Sequence, residues 1–231
     1  MSGDTVMPVT ISLDTMSSQD VDGPVTLPDM ASKRQERREQ IERQLLEATE
    51  RLMAAGASFT ELSVDKLATD AGISRASFYI YFEDKGHLLR NLAGQVFADL
   101  ADAGDRWWSV AQRRDPADAK AAISAIVAGY RRHQPLLVAL SEMAGYDPQV
   151  GTAYREILTA ISARVAAVIE QGQADGSIRL GLSAATAAKA LTWMTERTTQ
   201  QILPGSPISY DPEVTDTLVE IIWAALYLEA P

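Results

Sequence analysis

The side chains best suited to recognising another macromolecule are concentrated in one segment, residues 62–82, with the sequence LSVDKLATDAGISRASFYIYF. Its second half predicts a short helix with one packed face and one outward face. The residues predicted to face outward are Arg75, Ala76, Ser77, Tyr79 and Tyr81. An arginine at the start of such a helix can pair bidentately with guanine, worth about 1–3 kcal/mol of base discrimination. The pattern therefore indicates a surface for DNA base edges, with Arg75 as its main specificity residue.

The same segment supplies the elements that would hold those side chains. A helix-turn-helix needs a small residue between its helices and a turn residue that tolerates left-handed geometry. Ala68 and Gly72 meet these needs, and Ser63 and Ser74 are placed to cap the two helices. Ser63 could also meet a phosphate at its helix start, and capping alone is an equally good interpretation.

The run ATDAGISRASFYIYFEDKGHLL, residues 68–89, resembles the signature of the TetR family of DNA-binding regulators. The resemblance extends over residues 37–90. It implies that Arg75, Ser77, Tyr79 and Tyr81 face the major groove. It also implies that Lys85 holds a phosphate at the start of the fourth helix. A TetR-like, all-α fold of nine helices follows as an expectation.

Helical periodicity and Pro or Gly boundaries agree with that fold class. Three short or medium helices fill residues 33–81, a longer one runs from about 83 to 113, and five more are predicted at about 118–134, 135–145, 148–174, 183–203 and 211–228. Residues 1–31 mix polar residues, Gly and Pro without a helical period and predict a disordered tail. The predicted division is a tail at 1–31, a helix-turn-helix domain at 32–82, and a ligand-binding and dimerisation domain at 83–231.

Charge is distributed unevenly along the 231 residues, whose formal net charge is −10. Taken alone, that charge argues against a nucleic-acid partner. Segment 31–90 is nevertheless neutral, and four basic residues fall within six of its positions: Lys33, Arg34, Arg37 and Arg38. This cluster could meet phosphates, and a solvated helical turn is the alternative interpretation.

Several kinds of site are disfavoured. The absence of cysteine excludes disulfides and thiolate metal sites, and two histidines, His87 and His133, are too few for a histidine cluster, so no metal or cofactor is predicted. No Gly-rich phosphate loop or Ser-His-Asp spacing supports an enzyme. The sequence also lacks a signal-peptide pattern and an apolar run of about 18 residues, which favours a cytoplasmic protein with no membrane partner.

Large amphipathic side chains in the C-terminal part are candidates for an apolar ligand cavity. They are Trp107, Trp108, Tyr130, Met143, Tyr146, Tyr154 and Trp193. Plain core packing is the simpler interpretation of any one of them. TetR members place their ligand between helices four to eight, so the resemblance favours the cavity.

Two further runs, LTWMTERT at 191–198 and DTLV at 216–219, are similar to the EthR-type mycobacterial repressors within that family. That subgroup holds hydrophobic ligands in a long aromatic-lined channel. Thr192 and Thr195 stand where it has asparagines that hydrogen-bond the ligand. The two threonines therefore join the candidate ligand-binding residues.

Apolar stripes on the last two helices suggest association of two copies. The candidate dimerisation residues are Leu191, Leu218, Ile221, Ile222 and Ala225. Pairing would give a four-helix interface about a two-fold axis, matched to a palindromic operator.

Together these patterns predict a ligand-responsive transcriptional regulator that binds double-stranded operator DNA as a homodimer and is released by a small hydrophobic effector. Repression is implied by the family resemblance. The alternative is a helical carrier of a lipid or other small molecule with weak or vestigial DNA binding. Salt-sensitive DNA binding distinguishes the two.

Overall fold

A computed structural model describes residues 27–108 and 113–227, without the side chains of residues 27–31, 105, 106 and 108. Within these ranges the protein contains nine α-helices, two 3-10 turns and no β-strand, which confirms the predicted all-α fold. The helices are α1 (Leu27–Ala54), α2 (Val64–Asp70), α3 (Arg75–Tyr81), α4 (Lys85–Trp108), α5 (Pro116–Arg132), α6 (Gln134–Ala144), α7 (Pro148–Asp175), α8 (Ala184–Ile202) and α9 (Asp211–Tyr227). The 3-10 turns, Leu203–Gly205 and Ile208–Tyr210, connect α8 to α9.

Local capping chemistry explains where several helices begin. The carboxylate of Asp115 accepts a hydrogen bond from the Ala117 amide at 2.9 Å, and Pro116 follows it as the first residue of α5. Asp147 caps α7 in the same way, accepting from the Gln149 and Val150 amides. Such caps satisfy amide donors that have no carbonyl partner inside the helix. The predicted helix positions agree with the structure because these signals are local.

The predicted N-terminal tail is too long. Helix α1 begins at Leu27, so residues 27–31, assigned to the tail, are helical. Pro28 is tolerated in a first turn because its missing N–H has no intrahelical acceptor there. These residues continue a helix without contributing an apolar period. Residues 1–26 lie outside the described residues.

The chain divides into two compact units, residues 1–37 and 38–231. In the first unit, Lys33, Arg34 and Arg37 have exposed side chains, and Ser32 donates to Glu36 at 3.2 Å. The second unit contains all helices from α2 to α9 with the rest of α1. The domain boundary after residue 82 stays a prediction.

Helix α4 runs through the core of the second unit. Leu88, Leu89 and Leu92 near its start are fully buried, and Phe97 and Trp107 further along are almost completely buried. The helix packs against α5, α6 and α7. Its apolar side chains belong to one continuous hydrophobic core that also contains Phe78 and Phe82 of the helix-turn-helix segment.

Polar pairs join α1 to the helices beneath it. Glu42 accepts from Arg38 at 2.9 Å and from Gln95 of α4 at 2.6 Å. Further along α1, Glu50 pairs with Nδ1 of His133, the residue between α5 and α6, at 2.6 Å. Both contacts are half-buried, so they fix the position of α1 on α4 and on the α5–α6 junction.

An arginine anchors the end of α5 to the start of α9. The Arg131 guanidinium donates to both carboxylate oxygens of Asp211, at 2.6 Å for the shortest contact, and to the carbonyls of Leu203 and Pro207. Paired and hydrogen-bonded in this way, the charge can be largely buried. The cluster fixes the turn segment between α8 and α9.

No helix in the described part of the chain combines the length and apolar character needed to cross a membrane.

Replacement of Gly151 by alanine should destabilise the fold. An added Cβ would lie 2.7 Å from the Ala144 carbonyl oxygen, and backbone cannot rotate away as a side chain can. We expect Gly151→Ala to lower the free energy of unfolding by about 1–3 kcal/mol, the usual cost of overpacking. Chemical denaturation followed by circular dichroism measures it.

Gly94→Ala is the matched control. Gly94 is also helical, and an added Cβ would meet nothing within 4 Å. This change should leave stability unchanged or raise it by up to about 1 kcal/mol, because alanine has the higher helix propensity. Equal losses from both glycines would contradict the packing explanation.

Candidate functional site

The helix-turn-helix is built from α2, a glycine turn and α3. Gly72 has φ +70°, a left-handed conformation that favours glycine, as the sequence predicts for the turn. Ser63 Oγ accepts from the Lys66 amide at 3.1 Å, and Ser74 Oγ accepts from the Ser77 amide at 3.0 Å. Both serines therefore cap their helices, and Ser74 also shares a hydroxyl hydrogen bond with Ser77.

The exposed face of α3 contains one cation beside one aromatic ring. Arg75 is exposed, as is the neighbouring Ala76. Its Nη1 donates to Asp65 Oδ2 of α2 at 2.6 Å, and its guanidinium carbon lies 5.5 Å from the centre of the Tyr79 ring. Tyr79 is 47% exposed. The structure thus brings Arg75 and Tyr79 together on the outward surface of α3.

Two of the predicted outward residues are less exposed, and one exposed residue was missed. Ser77 is half-buried, and Tyr81 is half-buried with its ring packed against the core. Tyr81 lies three residues after the buried Phe78, which places it towards the packed face. Ile80 is 74% exposed and follows Ala76 by four residues on the outward face. That spacing was the available signal.

Lys85, the first residue of α4, contacts the backbone of the loop that precedes the helix-turn-helix. The Nζ donates to the carbonyls of Phe59, Thr60 and Leu62, at 3.2, 2.8 and 2.5 Å. Burial lowers the pKa of this ammonium below its usual value. Since an ammonium has three N–H donors, the loop between α1 and α2 uses all of them, and a phosphate contact by Lys85 would have to replace one.

The residue after Lys85 is a glycine, and its surroundings leave little room for a side chain. Gly86 is buried at the start of α4, and a Cβ there would lie 3.0 Å from Asp147 Oδ2 and 3.3 Å from Arg90 Nη1. The beginning of α4 therefore lies against the capping residue of α7. A side chain at this position would require the Asp147 carboxylate and the Arg90 guanidinium to move by a few tenths of an ångström.

A cavity of about 110 Å³ lies between α4, α5, α7, α8 and α9. Its lining is mostly apolar. The lining residues are Phe97, Leu100, Ala101, Gly104, Trp107, Ala122, Ile123, Ile126, Tyr130, Leu158, Ile161, Arg164, Val165, Leu191, Thr192, Thr195, Glu196 and Ile222. The apolar walls suit a small hydrophobic molecule.

Four of the predicted ligand-binding residues line this cavity: Trp107, Tyr130, Thr192 and Thr195. Tyr154 and Trp193 lie behind its wall, where the Tyr154 ring centre is 5.9 Å from that of Phe97 and 6.5 Å from that of Trp193.

The other three predicted ligand-binding residues have different surroundings. Met143 packs against the core without lining the cavity. Tyr146 is 84% exposed and does not line the cavity, because α6 ends at Ala144 and Tyr146 lies in the turn that follows; its ligand role stays a prediction. The side chain of Trp108 lies outside the described part of the structure.

One acidic side chain in the cavity wall was missed from the sequence. Glu196 is 3% exposed, and its Oε1 accepts a hydrogen bond from the Tyr154 hydroxyl. Burial raises the pKa of Glu196, against the opposing effects of this hydrogen bond and of Arg197. Burial also raises the pKa of Tyr154 and of Tyr130, which keeps both phenols protonated. The available signal was position: Glu196 follows Thr192 by four residues, on the same helical face.

The predicted dimerisation residues have different surroundings within the protomer, and their role stays a prediction. Leu218 and Ile222 are buried inside the protomer, and Leu191 and Ile222 line the cavity. Ala225 is half-buried, and Ile221 is 44% exposed. The apolar stripe of α9 is satisfied by packing within one chain, chiefly against α5, which leaves Ile221 as the exposed large apolar residue of the set.

Two family models match the chain. Residues 45–92 match the model described as bacterial regulatory proteins of the tetR family. Residues 119–228 match the C-terminal domain of the transcriptional regulator EthR. The first match covers the helix-turn-helix and the start of α4, and the second covers most of the helices around the cavity.

Two relatives of known function align with this chain over most of its length and most of their own. The HTH-type transcriptional regulator EthR of Mycobacterium tuberculosis (strain ATCC 25618 / H37Rv) is 30% identical over 178 residues, which are 73% of this chain and 79% of the relative. EthR of Mycolicibacterium smegmatis is 29% identical over 189 residues, 80% of this chain and 85% of the relative. These proteins are transcriptional regulators and not enzymes.

Solved structures share the fold. A TetR-family regulator from Mesorhizobium loti MAFF303099 aligns with a TM-score of 0.64 at 20% identity, covering 83% of this chain and 99% of its own. FadR from Bacillus subtilis, solved in complex with stearoyl-CoA, has a TM-score of 0.64 at 16% identity, and the alignment covers 80% of this chain and 99% of FadR. With its helix-turn-helix at one end and its EthR-like helices at the other, the chain belongs to the TetR family of bacterial transcriptional regulators.

Proposed function

We propose that the protein is a ligand-responsive repressor, which binds a palindromic operator as a homodimer and releases it when a small hydrophobic effector enters the cavity. The observation that carries this proposal is the position of α4. Its first residue holds the loop before the helix-turn-helix, and its later residues line the cavity. In this proposal residues 32–82 recognise DNA and residues 83–231 bind the effector and the second copy, in the cytoplasm.

DNA recognition is assigned to the exposed face of α3. Arg75 is held by Asp65, but both side chains are more than half exposed. An exposed ion pair contributes little, so exchanging Asp65 for the edge of a guanine costs little. Tyr79 and Ile80 offer apolar surface beside it, suited to a thymine methyl group. Arg75 would therefore provide most of the base discrimination.

The dimer is supported by two considerations. A seven-residue recognition helix contacts few base pairs, so two copies at half-sites one helical turn apart are needed for strong specific binding. On α9, Ile221 leaves a large apolar side chain exposed at the outer surface. An apolar contact between α9 helices of two copies would cover it.

Helix α4 is the proposed link between effector and operator. An effector in the cavity would contact Phe97, Leu100 and Trp107 on this helix. A shift of α4 is passed to the helix-turn-helix through Lys85 and through the shared core around Phe82. The effector changes operator affinity only as far as it binds the two positions of α4 differently.

Binding to DNA from upstream of the protein's own gene, compared with random DNA of equal length at two salt concentrations, tests the proposal. Specific, salt-sensitive binding by two protomers per site supports the repressor. Ligand binding without salt-sensitive DNA binding would favour a small-molecule carrier instead.

A side chain that fills the cavity should imitate the effector. Ala122 lines the cavity and is buried, so Ala122→Phe places a ring in the space proposed for the ligand. We expect operator affinity to fall by about 5- to 150-fold, the usual range of allosteric coupling. Fluorescence anisotropy with labelled operator measures it. The exposed Ala160→Phe on α7 is the control, and unchanged affinity in a folded Ala122→Phe protein would contradict release through the cavity.

Arg75→Ala should reduce base preference more than overall affinity. Loss of a bidentate guanine contact should lower the ratio of operator to random-DNA affinity by about 5- to 150-fold, corresponding to about 1–3 kcal/mol. Arg155→Ala, which removes an exposed arginine of α7, should leave the ratio unchanged. Equal losses on operator and random DNA would show that Arg75 contacts phosphate only.

Lys85→Met should act mainly on stability. It removes the donors to three loop carbonyls, and we expect the free energy of unfolding to fall by about 1–3 kcal/mol. The slope of log affinity against log salt should stay unchanged. Unaltered stability with a slope reduced by about one would instead assign Lys85 to a phosphate.

A further inference from the structure

Two buried oxygens without hydrogen-bond partners lie one helical turn apart in the cavity wall. They are Oγ1 of Thr192 and Oε2 of Glu196, both inaccessible to solvent within the described structure. Both residues line the cavity. Positions four apart on a helix share a face, so the two side chains project from the same side of α8.

Unpartnered polar atoms are rare in protein interiors, because losing water without gaining a hydrogen bond is unfavourable. A carboxylate is the strongest case, since a buried charge requires pairing. Glu196 has one donor, the Tyr154 hydroxyl on Oε1. No described residue donates to its second oxygen, Oε2.

The nearest cation does not complete the pair. Arg197 Nε lies 3.9 Å from Glu196 Oε2, beyond hydrogen-bond distance. Its guanidinium is half-exposed and donates instead to Gln200 Oε1 at 3.0 Å. Burial accordingly raises the pKa of Glu196, which agrees with a carboxyl group short of donors.

The surroundings of these oxygens define what would satisfy them. The opposite walls are aliphatic and aromatic, including Phe97, Leu100 and Leu158. A ligand must therefore combine an apolar body with a head group that donates hydrogen bonds. An alkylammonium group has three donors, a positive charge and no acceptor, whereas a carboxylate ligand would meet the Glu196 carboxylate.

We infer that the cavity binds an apolar amine, whose protonated nitrogen donates to Glu196 Oε2 and Thr192 Oγ1. The inference rests on the proposed function in one respect, that the cavity is a site for a small molecule. Arg164, also in the lining, offers charge of the opposite sign, but it is about half-exposed and lies 3.4 Å from Asp102. The buried carboxylate is the less solvated group and decides the preference.

Three probes of equal chain length test the inference: decylamine, 1-decanol and decanoate. Their affinities for the full chain are measured at neutral pH by isothermal titration calorimetry, without DNA. We expect decylamine to bind about tenfold or more tightly than decanol, because its hydrogen bond is charge-assisted, and decanoate to bind most weakly.

Two variants assign the preference to α8. Glu196→Gln should bring decylamine and decanol to within about threefold of each other, and Thr192→Val should weaken decylamine by a smaller factor while leaving decanol unchanged. Glu156→Gln, which changes an exposed carboxylate on α7, is the control and should preserve the wild-type order.

As the pH falls through the raised pKa of Glu196, wild-type affinity for decylamine should fall, because the neutral carboxyl no longer pairs with the ammonium. The facing phenols, Tyr154 and Tyr130, have raised pKa values and stay neutral there, and the charged groups nearby are Arg197 and Arg164.

Decanoate binding as tightly as decylamine, or a Glu196→Gln protein that keeps the amine preference, would overturn the inference. If Glu196→Gln does not fold, Thr192→Val and the wild-type order of the probes decide. Because no DNA is present, the result is separate from repression. Amine binding without operator release would contradict the proposed effector mechanism alone, and operator release by ligands without amine preference would contradict this inference alone.

Discussion

The burial of one face of α4 is the constraint on which the rest of the structure depends. The helix begins with Lys85 bound to the loop before the helix-turn-helix and continues through fully buried leucines to the wall of the cavity. Because protein interiors are close-packed, a side chain cannot move along this helix without its neighbours responding. The same contacts that stabilise the fold therefore connect the outward face of α3 with the inner cavity.

Charged side chains in the protein interior fall into two groups. Arg131 is surrounded by the carboxylate of Asp211 and by carbonyl oxygens, and it joins α5 to the α8–α9 turn and α9. Among the described residues, Glu196 has one donor, to Oε1, and none to Oε2, and its side chain lines the apolar cavity. A paired buried charge is part of the architecture, whereas an unpaired one keeps a local cost that a ligand can remove. This contrast is the reason for placing the specificity of the cavity at α8.

Local sequence signals were sufficient to predict most of the helices and the helix-turn-helix. Ser63, Ser74, Asp115 and Asp147 each cap a helix through an amide two or three residues away. Gly72 takes the left-handed turn that its position requires. The N-terminal end of α1 was missed because Leu27 and its neighbours have no apolar period. Helical periodicity identifies a packed face, and this part of α1 does not have one.

The sequence by itself determined the fold class, the order of the helices and the recognition segment, because capping, turn geometry and helical period depend on residues close together in the chain. The tertiary structure decided which apolar residues face a cavity, a core or the surface. Leu218 and Ile222 have the same spacing as an interface stripe but lie inside the protomer, and Tyr146 looks like a pocket aromatic but is exposed. The significance of Glu196 depends on Tyr154, 42 positions earlier, and on the absence of any donor to its second oxygen among the described residues. Such facts depend on contacts between distant segments, which helical period and residue type do not encode.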